Sequence, residues 1–399
     1  MERVKATLCL LAAKTLGRLK QYRAALRLLQ HAAALNPHSV ATQCWIGWIH
    51  QQLNDYAAAV PPFERAIQLR PNCAYAHAQI ACSWIELKRY RDAVDELLRA
   101  FRMNPSYKNN RRYLLILASA YAQLGLMNES VSTYEKTSQF FPNDAESVYG
   151  YGWALATSKR FSEAEQVLRR AISLNPKNAN AHYNLGVTLL GQERWQDAAD
   201  AFRSAISLES SKSNHHCGLG TAYKELGQLN LAAESLNEAI RLAPDDPDAY
   251  VQIGAVYIDL DRPIEALEIG RKLRRLVPDQ EVGDWLVIGA YSRLERYDEA
   301  IQLCNEVLTK NPHSLPALES LAWIHLKGGR FSEAIPLYET AITEHSDASY
   351  LRAQLAEAYL GHGDLEAAWN QQRGLLGTDL SVAEQVRKLL QGEIKTLLT

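Results

Sequence analysis

Residues 145–178 read AESVYGYGWALATSKRFSEAEQVLRRAISLNPKN, and residues 179–212 read ANAHYNLGVTLLGQERWQDAADAFRSAISLESSK. Laid one over the other, they align Gly152 with Gly186, Phe161 with Trp195, Ala164 with Ala198 and Ala171 with Ala205. The pattern continues in both directions. The small residue at the Ala164 position recurs as Ala25, Ala59, Ala93, Ser130, Ala198, Ala232, Ala266, Ala300, Ala334 and Ala368, at intervals of 34 except for one of 37. Seven residues later stand Ala32, Ala66, Ala100 and their equivalents; three residues earlier, an aromatic or apolar residue such as Tyr22, Tyr56, Tyr90 or Phe331. Twelve residues later a proline stands in most units, with Ser210 the internal exception. A period of this length is the signature of a solenoid built from one supersecondary unit.

Each recurring position has a physical reason. Apolar residues four apart, such as Leu185 and Leu189 or Ile253 and Tyr257, share one face of a helix. Glycine or alanine at the eighth position (Gly47, Gly152, Gly186, Gly220, Gly254; Ala13, Ala81, Ala118) lets a second helix pack close. A bulky side chain there costs about 1–3 kcal/mol by overpacking. The proline stops the second helix, and the asparagine before it (Asn36, Asn104, Asn175, Asn311) turns or caps the chain.

These residues resemble the tetratricopeptide (TPR) family, whose repeat is 34 residues with the pattern W-x2-L-G-x2-Y, then A-x3-F, then P. Tyr250, Ile253-Gly254, Tyr257, Ala266 and Pro278 match it, as do Leu219-Gly220 with Tyr223, and Leu185-Gly186 with Ala198 and Phe202. The resemblance implies an all-α fold: a right-handed α-solenoid, or superhelix, of antiparallel helix pairs. It divides residues 6–382 into eleven repeats: 6–39, 40–73, 74–107, 111–144, 145–178, 179–212, 213–246, 247–280, 281–314, 315–348 and 349–382. Ser381, with Glu384 three residues on, has capping-box spacing, and Val382, Val386, Leu389 and Leu390 share one face of the helix it would start. A C-terminal capping helix is therefore expected over 381–398. No comparable cap is visible before the first repeat, so either that repeat is exposed or more chain precedes it.

Departures from the period mark two places. The 37-residue interval comes from three extra residues around Lys108-Asn109-Asn110, followed by Arg111 and Arg112. They form either a hinge with a basic contact point or one extra helical turn; the latter is favoured. Repeat eight carries Gly270 and Leu273 at its second-helix packing sites, so its helices are expected to sit differently. Its basic run of Arg271, Lys272, Arg274 and Arg275 reads as a solvated helix face.

Composition narrows the function. The chain has 399 residues, 47% hydrophobic and 22% charged, with a formal net charge of −2. Without a basic excess, nucleic acid is not expected as the main partner. No stretch approaches the ~18 apolar residues of a membrane span, so no membrane insertion is expected. The six cysteines are scattered without a CxxC pair, which suits reduced, mostly buried thiols and a cytoplasmic setting. Phosphate-loop and HExxH patterns are missing. His215-His216-Cys217 is the best metal candidate by residue type, yet adjacent helical residues diverge by about 100 degrees and no second ligand pair has metal spacing, so a surface cluster at a helix start is expected. Cys73 and His77 lie four apart, which is half a site. No catalytic, cofactor or metal residues are assigned, and no enzymatic activity is expected.

In TPR proteins the first helices line an inner groove, and the fifth and ninth residues of each repeat face the ligand. Position five then gives Tyr149, Tyr183 and Trp285 among others; position nine gives Trp48, Trp153 and Trp323. Aromatics with few charges suit a protein-binding surface. The alternative for Trp48 and Trp153 is packing between neighbouring first helices. Alanine at Trp153 or Trp323 is expected to weaken partner capture with folding nearly intact. A carboxylate clamp for chaperone tails needs lysine, asparagine and arginine on consecutive first helices; here Lys14 is followed by Trp48 and Cys82. An asparagine ladder at position six, as in the TPR arm of the nucleocytoplasmic O-linked N-acetylglucosamine transferase, is matched only by Asn184. The reading is a non-enzymatic scaffold or adaptor holding a peptide or helix in its groove. The alternative is the substrate-recruiting arm of a larger enzyme or sensor. The oligomeric state is left open.

Overall fold

A computed structural model describes residues 1–345, 350–375, 381, 383, 384 and 386–388. Every element among them is helical, and the chain divides into two compact units, Met1–Glu209 and Ser210–Thr399. The first holds α1 (Glu2–Arg18), α2 (Tyr22–Leu35), α3 (Val40–Gln52), α4 (Tyr56–Leu69), α5 (Ala74–Glu86), α6 (Tyr90–Met103), α7 (Arg111–Gln123), α8 (Met127–Phe140), α9 (Ala145–Thr157), α10 (Phe161–Leu174), α11 (Ala179–Leu190) and α12 (Trp195–Leu208). The second holds α13 (Ser213–Glu225), α14 (Leu229–Leu242), α15 (Pro247–Asp259), α16 (Pro263–Leu276), α17 (Val282–Arg293), α18 (Tyr297–Lys310), α19 (Leu315–Lys327), α20 (Phe331–Glu344), α21 (Leu351–His362) and α22 (Leu365–Leu375). Within each unit, each helix packs on the next. Within each unit the odd-numbered helices also touch one another, whereas among the described residues the even-numbered ones hardly meet. The odd-numbered layer is therefore the tighter, inner side of each unit, and the fold is an α-solenoid.

The turns are built from local hydrogen bonds. Asn175 Oδ1 accepts from the backbone N–H of Lys177 (3.2 Å), and Asn311 Oδ1 from that of His313 (3.3 Å), so each folds over the intervening proline. The next first helix is then capped by Ser39, Asn110, Asp144 or Asn178, whose side chains accept from the amide three residues on. Within each helix pair the turn holds one residue in the left-handed region: Lys20, Asn54, Lys88, Lys159, Glu193, Asp261 and Glu295 have φ between 54° and 60°, and glycine takes the equivalent place at 125, 227, 329 and 363. At Lys88 the geometry is a Schellman cap: Lys88 N–H donates to Ile85 O (2.9 Å) and Arg89 N–H to Trp84 O (2.7 Å). Lys88 is exposed, so its Cβ gains nothing for the strain. Lys88→Gly is expected to raise stability by about 0.5–1 kcal/mol in urea unfolding, because glycine adopts this conformation without steric cost. A loss of stability would contradict it.

The packing rule at the eighth position is a knob in a dimple. A Cβ added at Gly47 would lie 2.7 Å from the Phe63 ring; at Gly152, 2.8 Å from Leu168; at Gly186, 2.7 Å from Phe202; at Gly220, 2.6 Å from Leu236. Each knob stands four positions after the small second-helix residue. Repeat eight breaks the rule, because its knob position holds Gly270. Leu286 of α17 covers Gly254 instead, and α16 closes on α17: a Cβ at Gly283 would stand 2.7 Å from Arg274 N and 3.1 Å from Gly270 O. Arg274 Nε clasps Asp284 Oδ1 at 2.6 Å across this contact, so the basic run is partly engaged by its own unit.

The three extra residues of repeat four are wound into a 3-10 turn, Pro105–Asn109. Arg111 behind it is not an open contact point: Nε donates to Asp144 Oδ2 (2.7 Å) and its other arm pairs with Glu146, tying α7 to the start of α9. The division between compact units falls elsewhere, at Glu209 and Ser210, where the repeat lacks its proline. Towards the C-terminus, Ala383 and Val386 are buried with Ala356 and Ala368. Ser381 and Glu384 are helical, while Val382, Leu389 and Leu390, and most of the 381–398 segment expected as a cap, lie outside the described residues.

Candidate protein-binding face

The six aromatic residues singled out in the sequence all sit on odd-numbered helices, but they do different things. Trp48 on α3 is half-buried, edge-on to Trp45 (centroids 5.1 Å apart) and to Tyr22 (6.1 Å). It packs over Gly17 of α1, between neighbouring first helices. Trp153 on α9 stands edge-on to Tyr134 at 6.2 Å, and the Tyr134 ring in turn covers Gly150. Tyr183 leans on Phe202 at 5.7 Å. Tyr149 is adjacent, its hydroxyl accepting from Asn184 Nδ2 (3.1 Å). The amide of Asn184 also donates to Asn180 O (2.8 Å), one turn back in α11, so one of its bonds ties α11 to α9 and the other stays within α11. Lys14 lies over the Trp45 ring at 5.7 Å.

The second unit is more open. Trp285 on α17 is 43% exposed and Val251 on α15 is 36% exposed. Both line a cavity of about 290 Å³ with Ala255, Ile258, Leu273 and Leu286, an almost wholly apolar set. Its position follows from Gly270: α17 is drawn onto α16, and Leu286 turns down over Gly254 beside the cavity floor. A second cavity of about 300 Å³ adjoins it through the shared Ile258 and is lined by Gly289, Arg293, Glu319, Trp323 and Tyr338. The Tyr338 hydroxyl and Gln354 Oε1 are buried at this second cavity without a hydrogen-bond partner. Buried polar atoms are normally satisfied. The two cavities bring Trp285 and Trp323 into one track across α15, α17 and α19.

Of the aromatic residues named from the sequence, Trp285 and Trp323 line that track, and Val251, Ala255 and Gly289 reach it from the same two repeat positions. Ile258, Leu286, Tyr338 and Gln354 come from other positions and were not signalled. The one cue was Gly270, which leaves a dimple without its usual knob.

No group of three or more metal-ligating side chains occurs among the described residues. His215 is fully buried, which corrects the surface cluster expected at His215-His216-Cys217. It turns into the core, while His216 Nε2 meets Ser210 O at 3.0 Å and Cys217 Sγ accepts from Gln252 Nε2 at 3.2 Å. His77 is held by the Glu96 carboxylate at Nδ1 and by Pro71 O at Nε2 (2.8 Å). Among the described residues no helix is long and apolar enough to cross a membrane.

No curated protein matches the chain. Among solved structures, a tetratricopeptide repeat protein from Parabacteroides merdae is 20% identical, over 62% of this chain and 98% of its own, with a TM-score of 0.53. Yeast Tom70 is 14% identical over 98% of this chain and 96% of its own (TM-score 0.46). YrrB, described as a TPR protein with an unusual peptide-binding site, is 19% identical over 47% of this chain and 95% of its own (TM-score 0.42). Family profiles described as tetratricopeptide repeat match residues 10–73, 80–145, 129–179 and 149–214, and again 293–336 and 326–370; a TPR repeat profile matches 220–261. The chain belongs to the tetratricopeptide repeat family, which is generally non-catalytic and whose repeats support a role as a protein-interaction scaffold.

Proposed function

We propose that the chain holds an extended peptide or a helix of a partner protein on its odd-numbered face, with the Val251–Trp285–Trp323 track as the principal anchor. The observation that carries this is the pair of adjoining cavities floored by Ile258. The first offers an apolar socket beside a half-exposed tryptophan, the arrangement in which an interface concentrates its binding energy. The second adds Trp323, with Glu319, Ser320 and Arg293 as polar groups along its wall. Asp259 and Glu319 flank the two cavities, with Arg293 the one cation lining either among the described residues. The matching ligand is an apolar side chain followed by a neutral or basic residue.

The test uses peptides selected from a random display library on the wild-type chain. Their affinities for Trp285→Ala/Trp323→Ala are then measured by calorimetry. Removing two anchors of this kind is expected to weaken binding by more than about thirtyfold, that is about 2 kcal/mol or more. Circular dichroism confirms that the double variant is folded, since Trp285 is half-exposed but Trp323 is half-buried. Selected peptides that bind both proteins equally would place the binding face elsewhere.

A further inference from the structure

In the first unit, Cys44 and Cys73 form a contact that the scaffold role does not use. Cys44 is buried on α3, and Cys73 is the N-cap of α5. Cys73 packs against the buried cluster that contains Cys44, and each thiol shifts the titration of the other, so the two are neighbours although 29 residues separate them. Both line one open cavity of about 670 Å³ with His38, Arg70 and Tyr75. A small oxidant therefore reaches the pair from solvent.

The two cysteines are not equivalent. The neighbouring Cys44 thiol, the free backbone amides at the start of α5 and the charge of Arg70 all favour the Cys73 thiolate. Against the opposing effect of burial, these hold its thiol below the ordinary cysteine value. A helix N-terminus and neighbouring cations are the usual activators of a nucleophilic thiolate. Cys44, beside that sulfur and buried, is pushed up and stays protonated. The other four cysteines lack this arrangement. Cys82 and Cys304 are buried and pushed up to about 11 and about 12 by burial; Cys217 is likewise raised to about 11.

We propose that Cys73 and Cys44 form a peroxide-oxidisable dithiol, with Cys73 the attacking and Cys44 the resolving sulfur. The Cys73 thiolate attacks one peroxide oxygen and the O–O bond breaks. Sulfur is oxidised to the sulfenic acid, and hydroxide leaves to become water on taking a proton. Cys44 sulfur then attacks Cys73 sulfur; the S–O bond breaks as S–S forms, and the departing hydroxide takes the Cys44 proton as a second water. Two thiols and one hydrogen peroxide give one disulfide and two waters. The bond ties two neighbouring helices of the inner layer, α3 and α5, beside Trp45 and Tyr75.

The experiment treats the reduced full-length chain with one equivalent of hydrogen peroxide, quenches with N-ethylmaleimide and maps peptides by mass spectrometry. One linked peptide pair, Cys44–Cys73, is expected, reversed by dithiothreitol. Cys44→Ser should halt at the sulfenic acid and give a dimedone adduct on Cys73, formed at least about tenfold faster than any on Cys9 or Cys217. Cys73→Ser should leave Cys44 unmodified, with circular dichroism confirming that both serine variants are folded. A wild-type chain without the linked pair, or with Cys9 or Cys217 oxidised as fast as Cys73, overturns the proposal.

Discussion

Phe63→Ala is expected to lower stability by about 3–5 kcal/mol, the largest loss from any single truncation considered. Phe63 is fully buried, and its ring lies in the dimple left by Gly47, so alanine leaves a cavity that α3 and α4 could close only by shifting together. In a stacked fold the loss falls first on neighbours, so amide exchange should accelerate in α3 to α6 before the rest of the first unit. The reciprocal change is also costly. Gly47→Ala puts a Cβ 2.7 Å from the Phe63 ring, an overpacking worth about 1–3 kcal/mol. The chain itself shows the remedy. Its first and third repeats combine alanine at the eighth position with leucine as the knob, Ala13 with Leu29 and Ala81 with Leu97, all buried. The ninth repeat inverts the sizes, with Ile288 on the first helix and Cys304 on the second. Gly47→Ala/Phe63→Leu is therefore expected to fall within about 1 kcal/mol of wild type, although each single change costs more. Additive losses in the double variant, read by urea unfolding, would show that the dimple is not the coupling element.

The same complementarity explains what could be read from the chain and what could not. The fold was legible because each helix pair repeats a small residue at a fixed step, so eleven weak signals reinforce one another. The aromatic positions were legible as a set and not one by one. Trp153 and Trp323 occupy the same place in their repeats, yet Trp153 has the Tyr134 ring beneath it while Trp323 borders a cavity. That difference depends on side chains contributed by adjacent repeats, which no single repeat encodes. Gly270 was visible as a departure, but its consequence was not, since Leu286 fills the dimple from the following repeat. Cys44 and Cys73 looked scattered because position five of one repeat meets the cap of the next first helix, a neighbourhood outside the usual cysteine spacings. The left-handed turn residue was overlooked because lysine, glutamate and aspartate occupy it more often than glycine.

Gly289→Phe is expected to abolish peptide binding on the second unit without loss of stability, the largest effect on function predicted for one substitution. Gly289 lies inside α17, where glycine costs about 1 kcal/mol of helix stability relative to alanine. A Cβ there would meet only Ile258 Cδ1, at 4.0 Å, so the position has room for a side chain and carries none. Gly289 borders the cavity of Trp323, and Ile258 is shared with the cavity of Trp285. A phenyl ring would fill the junction that a ligand must cross. Melting temperature should hold or rise, while affinity for a selected peptide falls by more than about a hundredfold, equivalent to roughly 3 kcal/mol. Gly283 on the same helix is the matched control. A Cβ there stands 2.7 Å from Arg274 N, so Gly283→Ala should destabilise the α16–α17 contact. The contrast separates occupancy of the track from integrity of the fold. If Gly289→Phe binds the peptide as wild type does and melts no lower, the ligand does not pass over Ile258, and the open face of α15, α17 and α19 is not where the partner is held.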